Sequence, residues 1–223
     1  MTNLYTRIGE AFPADRDRPF ATFADGGRFS YADLDDRSAA YAHVLAAAGV
    51  KPGDRVAVQA EKSIDMLMLY LGCLRAGAVF LPLNTAYTAH ELDYFMRDAE
   101  PALFVAATSR RGEIEPLARA AGVPRVEDLD ESGTGSLSRA ADAAPGRFDT
   151  VPRADEDLAA ILYTSGTTGR AKGAMLSHAN LLSNALTLKD YWRFTGDDVL
   201  LHALPIFHTH GLVVATNVTL LAG

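Results

Sequence analysis

Short runs that are apolar throughout, without polar alternation, recur along this chain between stretches of helical periodicity: Ala78–Leu83, Leu103–Ala107 and Leu158–Tyr163. A strand that is apolar on both faces needs cover on both faces, and a parallel sheet wrapped by helices provides it. The helical stretches carry start signals. Ser30-Tyr31-Ala32-Asp33 has the pattern of a capping box, Leu34, Tyr41, Leu45 and Ala48 follow at helical spacing, and Gly49 supplies a stop. After the turn Lys51-Pro52-Gly53-Asp54, Val56 and Val58 read as a strand. Ser63 then opens a helix to about Arg75, apolar on most sides and so expected to be buried, and Thr88-Ala89-His90-Glu91 is a second capping box opening a helix towards Asp98. The fold class expected is α/β, with mostly parallel sheets covered by helices.

Between about Gly122 and Arg153 the chain becomes rich in Gly, Pro, Ser, Asp and Ala with little periodicity, and a soft subdomain boundary is expected there. Beyond it come the strand Leu158–Tyr163, a Gly/Thr/Ser loop, a short strand Ala174–Leu176, a helix Ala179–Trp192 and a strand Val199–Leu204, with Trp192 and Phe194 expected in the core.

Composition removes several function classes. The balance is acidic, 28 Asp plus Glu against 21 Lys plus Arg, so no nucleic-acid or anionic-membrane partner is expected and any anionic ligand needs a local site. The single cysteine, Cys73, has no partner for an intrachain disulfide and reads as a small core residue. Met1–Pro13 lacks an apolar signal core, and the most apolar later run is broken by Asp65, Arg75 and Gly77. The expected location is cytoplasmic.

The most informative stretch is Thr164–Gly173, which follows an apolar strand and holds four hydroxyl side chains, three glycines and two cations. Glycines let a backbone approach phosphate oxygens, hydroxyl and amide groups donate to them, and Lys172 supplies charge. The spacing is not that of the Walker loop: Gly173 follows Lys172 where a hydroxyl residue would be needed.

Tyr163-Thr164-Ser165-Gly166-Thr167-Thr168-Gly169-Arg170-Ala171-Lys172-Gly173 resembles the signature loop of the adenylate-forming superfamily, which includes acyl-CoA synthetases, luciferases and peptide-synthetase adenylation domains. Three further segments resemble family elements in the same order: Phe29–Leu34, Arg75–Asn84 and Leu204-Pro205-Ile206-Phe207-His208-Thr209-His210-Gly211-Leu212. One departure is Ala171, where the family commonly has proline, so a somewhat less rigid loop is expected. Tyr191–Gly211 looks closest to malonyl-CoA synthetases.

The resemblance implies that a carboxylate attacks the α-phosphate of ATP, releasing pyrophosphate, and that the acyl group then passes from the acyl-adenylate to coenzyme A. Thr164, Ser165, Gly166, Thr167, Thr168, Gly169 and Lys172 would cradle the β,γ-phosphates, with the Thr167 hydroxyl near Mg2+. Lys172, Thr167 and His208 would be catalytic, and His208 and His210 would face the acyl substrate. A structural histidine after a strand is the competing role for His208, and support of a neighbouring pocket residue from behind is the competing role for His210. His202 reads as structural; no Cys, Asp or Glu lies between His208 and His210 to complete a zinc set. Asn84 and Thr88 are accounted for by turn formation and capping.

The expected activity is malonate to malonyl-CoA with AMP and pyrophosphate. The family's adenine-contacting segment, magnesium-holding glutamate, ribose-binding aspartate and C-terminal domain are not found in residues 1–223. The chain is therefore expected to be an incomplete N-terminal AMP-binding domain, inactive alone. A fatty-acyl or aryl-acid CoA ligase is the alternative within enzymes, and a non-catalytic nucleotide-binding fragment is the alternative outside them.

Overall fold

In the computed structural model, residues 3–164 and 170–223 are described. The chain opens with α1 (Leu4–Ala11), followed by a hairpin of β1 (Pro19–Thr22) and β2 (Arg28–Ser30). Then come α2 (Tyr31–Ala47), β3 (Arg55–Gln59), α3 (Ile64–Ala76), β4 (Val79–Pro82), α4 (Ala89–Ala99), β5 (Leu103–Ala107), α5 (Arg111–Ala120), β6 (Val126–Leu129) and α6 (Ser136–Asp142). The last part holds β7 (Leu158–Thr164), β8 (Lys172–Ser177), α7 (His178–Trp192), a π-helical segment His210–Thr216 and α8 (Asn217–Ala222).

Among the described residues, six strands form one sheet in the order β6-β5-β3-β4-β7-β8. All neighbours are parallel except β8, which runs antiparallel to β7. Each apolar run divides its side chains between two cores, because successive residues of a strand point to opposite faces. Val56, Val58, Phe80, Leu103, Val105 and Leu162 join a large cluster containing residues of α1, α2 and α3. Ala57, Val79, Leu81, Phe104, Ala106 and Ile161 join a second cluster with Leu92, Phe95 and Met96 of α4 and Ile114 of α5. This two-sided burial is why the strands are apolar throughout.

Both expected capping boxes are present, Ser30 with Asp33 and Thr88 with Glu91, and a third, Ser177 with Asn180, opens α7. α3 is buried as its composition implies and ends at Gly77 with φ 72. It packs closely on α2: a Cβ at Gly72 would lie 2.7 Å from Tyr41 Cβ and 3.2 Å from the Ser38 carbonyl. Arg75, buried near the end of α3, donates to Asp35 Oδ1 at 2.7 Å, the Tyr5 hydroxyl at 2.8 Å and the Phe148 carbonyl at 2.9 Å. Cys73 is buried, and burial pushes its thiol pKa up.

Two expectations are corrected. Val199–Leu204 is not a strand: it pairs with no strand among the described residues, and Val199 and Leu201 are 95% and 90% exposed. An apolar run becomes a strand only where a sheet edge can pair with it. Trp192 is 52% exposed, because α7 ends in the left-handed turn at Arg193 and its last residue faces away from the core, whereas Phe194 packs against it half-buried. The aperiodic stretch 122–153 itself contains β6 and α6. No helix among the described residues is long and apolar enough to cross a membrane.

Candidate phosphate-loop site

The loop read from the sequence joins the one antiparallel pair of the large sheet. The β7–β8 pairing places Thr164 opposite Lys172, and the Thr164 hydroxyl donates to the Lys172 carbonyl at 3.4 Å. Because β7 is parallel to β4, its end at Thr164 lies on the edge formed by the carboxyl ends of the parallel strands, where open α/β sheets bind ligands. Lys172 is exposed and forms no ion pair among the described residues. Ser165, Gly166, Thr167, Thr168 and Gly169 lie outside the described residues. Gly173 is required by close approach, since a Cβ there would stand 2.9 Å from Ile161 Cγ2.

An aromatic cluster from α4 supports the base of this hairpin. The Tyr163 hydroxyl donates to Asp98 Oδ2 at 2.5 Å, and its ring lies 4.4 Å from that of Phe95. Burial, and then the bond to the Asp98 carboxylate, raise the Tyr163 pKa, so the phenol stays protonated. The Tyr94 hydroxyl donates to the Ala171 carbonyl at 2.9 Å, with the Arg170 guanidinium 5.8 Å from the Tyr94 ring centroid.

The segment carrying His208 reaches the same edge by a different tether. Lys62, just beyond β3, donates to the His202 carbonyl at 2.5 Å and the Leu204 carbonyl at 2.9 Å, and lies 3.1 Å from His202 Nδ1. Partial burial lowers the Lys62 pKa. With Nδ1 accepting from the ammonium, the proton of a neutral His202 sits on Nε2, which is 3.0 Å from the Gly211 carbonyl. Lys62 and His202 thus hold the chain before and after His208. His208 is itself exposed, its ring 4.6 Å from that of Phe207 and tilted 53° to it, and its carbonyl accepts from Leu212 N–H at 2.9 Å. His210 is exposed at the start of the π-helical segment. No hydrogen bond among the described residues joins either histidine to Thr164 or Lys172; what they share is the edge of the sheet.

A third element at this edge is the turn after β4. Gln59, fully buried at the end of β3, donates to the Asn84 carbonyl at 2.8 Å, and Arg110 donates to Gln59 Oε1 at 2.8 Å. Asn84 Oδ1 accepts from Ala86 N–H at 2.9 Å, the turn-forming role expected of it. Lys62, Tyr94, Gln59 and Arg110 escaped the sequence reading. A lone cation just after a strand was the available signal for Lys62; the others act across long sequence separations.

Comparisons with known proteins agree with the fold. The model of the family described as "AMP-binding enzyme" matches residues 10–223. The crystal structure of ATP-bound MatB from Rhodopseudomonas palustris superposes with a TM-score of 0.94 and 57% identity, over 99% of this chain and 43% of that one. A feruloyl-CoA synthase of an Amycolatopsis species is 36% identical over 89% of this chain and 38% of its own length. The mitochondrial malonate–CoA ligase of Mus musculus is 32% identical over 84% of this chain and 32% of its own length. The chain therefore spans less than half the length of each of these relatives. With a hairpin closing the carboxyl edge of a mostly parallel sheet and a family match over nearly its whole length, this chain belongs to the AMP-binding enzyme family.

Proposed function

We propose that this chain supplies the N-terminal part of the nucleotide-binding domain of an AMP-forming acid–CoA ligase, whose substrates are ATP, coenzyme A and a small carboxylate, malonate being favoured. The observation that carries the reading is the hairpin Thr164–Lys172: a hydroxyl residue and an exposed cation stand opposite each other at the edge formed by the carboxyl ends of the parallel strands, within a family match covering residues 10–223.

A donor set of this kind fits a polyphosphate, which needs hydrogen-bond donors and positive charge but no proton transfer from the protein. In this reading Thr164, Ser165, Gly166, Thr167, Thr168, Gly169 and Lys172 hold the β,γ-phosphates of ATP. Lys172 stabilises the charge that grows on the departing pyrophosphate. Mg2+, when bound, would neutralise phosphate charge beside the Thr167 hydroxyl. His208, held on both flanks through Lys62 and His202, walls the acyl and α-phosphate site and donates to oxyanion charge as the carboxylate adds. His210 borders the same pocket.

The choice of malonate rests on the resemblance around Tyr191–Gly211 and on the malonate ligase among the relatives. The feruloyl-CoA synthase favours a second reading, an aryl-acid ligase on the same scaffold. Specificity constants of the full-length protein for malonate, acetate, ferulate and a long-chain fatty acid decide between them. Malonate is expected to lead; a preference for ferulate or the long chain overturns the substrate assignment.

A further inference from the structure

The described β7–β8 pairing reaches the open end of the hairpin at Thr164 opposite Lys172. The peptide bond entering Lys172 is gripped from outside the hairpin. The Tyr94 hydroxyl, on α4, donates to the Ala171 carbonyl at 2.9 Å, and that carbonyl belongs to the Ala171–Lys172 peptide. The Tyr94 ring is held in turn, 5.5 Å from Phe95 and 6.4 Å from Tyr163, with Arg170 lying against it and Tyr163 tied to Asp98. Packing accounts for the ring. It does not account for the hydroxyl, whose partner is the carbonyl next to the one cation of the hairpin that the proposed chemistry uses.

We propose that Tyr94 is a positioning residue for Lys172: its hydroxyl fixes the peptide that carries Lys172 into the site, so that the ammonium meets the departing phosphates without first having to be ordered. This rests on the functional reading given above. Ala171 leaves the backbone of this arm without the restraint that a proline ring would impose, and Tyr94 supplies a restraint from a neighbouring helix instead.

A positioning hydrogen bond that matters when charge develops lowers turnover more than substrate affinity when it is removed. Tyr94→Phe keeps the ring and removes only the bond. In the full-length protein, carboxylate-dependent pyrophosphate exchange at saturating ATP is expected to fall about fivefold, the size set by one neutral hydrogen bond, with the KM for ATP changed less than about twofold. The decisive readout is a double-mutant cycle with Lys172→Ala. If Tyr94 acts through Lys172, Tyr94→Phe has no further effect on turnover once the lysine is gone; additive losses, or wild-type turnover in Tyr94→Phe alone, overturn the proposal. A wild-type protein with no exchange at all refutes the functional reading and takes the role of Tyr94 with it, whereas normal wild-type exchange with a silent Tyr94→Phe overturns this inference alone.

Discussion

His178 makes the stability of this fold depend on pH, and the size of the dependence follows from its surroundings. The residue is fully buried at the first position of α7. Its Nδ1 accepts from Leu4 N–H at 3.1 Å, which ties α1 to α7 and leaves the neutral proton on Nε2, an atom with no partner among the described residues. Protonating Nδ1 would break the tether and place a charge in the core. Burial foremost, and then the Arg153 charge, lower its pKa from 6.5 to about 4, against the smaller opposing pull of Asp157 and Asp155. A lowered folded-state pKa means that the unfolded chain takes up the proton first. The stability contribution is therefore complete above pH 6.5 and is lost as pH falls towards 4. A shift of this size corresponds to about 2 kcal/mol lost by pH 5 and about 3 kcal/mol once both states are protonated. Urea unfolding followed by circular dichroism at pH 7.5 and 5, in the wild type and in His178→Asn, isolates the effect: Asn can still accept from Leu4 N–H but does not titrate. The wild type should lose about 2 kcal/mol more than the variant between the two pH values. Equal losses would refute the argument.

Three further outcomes are expected. Gly72→Ala should destabilise the fold by about 1–3 kcal/mol in chemical denaturation, because the new methyl meets Tyr41 Cβ at 2.7 Å and backbone atoms of α2 that cannot give way. Lys172→Ala should lower pyrophosphate-exchange turnover at saturating ATP on the order of a hundredfold; near-wild-type turnover removes Lys172 from the site. Lys62→Met should loosen the chain before His208 and raise the protease sensitivity of the 199–210 segment, and an unchanged cleavage pattern counts against the tether seen at the His202 and Leu204 carbonyls.

Much of the fold was legible because its determinants are local. Ser30 with Asp33 and Thr88 with Glu91 declare helix starts within four residues, and runs such as Leu103–Ala107 declare two-sided burial by composition alone. What escaped depends on partners far along the chain. α1 is set by Asn3 and by the bond from Leu4 to His178, and β6 carries Glu127 and Asp128 at a sheet edge, where Arg111 and Thr108 meet the Asp128 carboxylate. Neither leaves a periodic signature. Val199–Leu204 went the other way: its residues suit a strand, but no strand among the described residues pairs with it, and Lys62 donates instead to the His202 and Leu204 carbonyls. The candidate site, still a proposal, divides similarly. Thr164 and Lys172 were readable because one loop carries both, while Tyr94 and Lys62 reach it from 77 and 140 residues away.

The proposed function requires the full-length protein to activate a carboxylate by adenylation. The most direct test is exchange of labelled pyrophosphate into ATP by the full-length protein, with and without malonate and in the absence of coenzyme A. Exchange that appears only when the acid is present, with AMP as the nucleotide product once coenzyme A is added, is the predicted result. Cleavage of ATP to ADP and phosphate, with no acid-dependent exchange for any carboxylate tried, would contradict it.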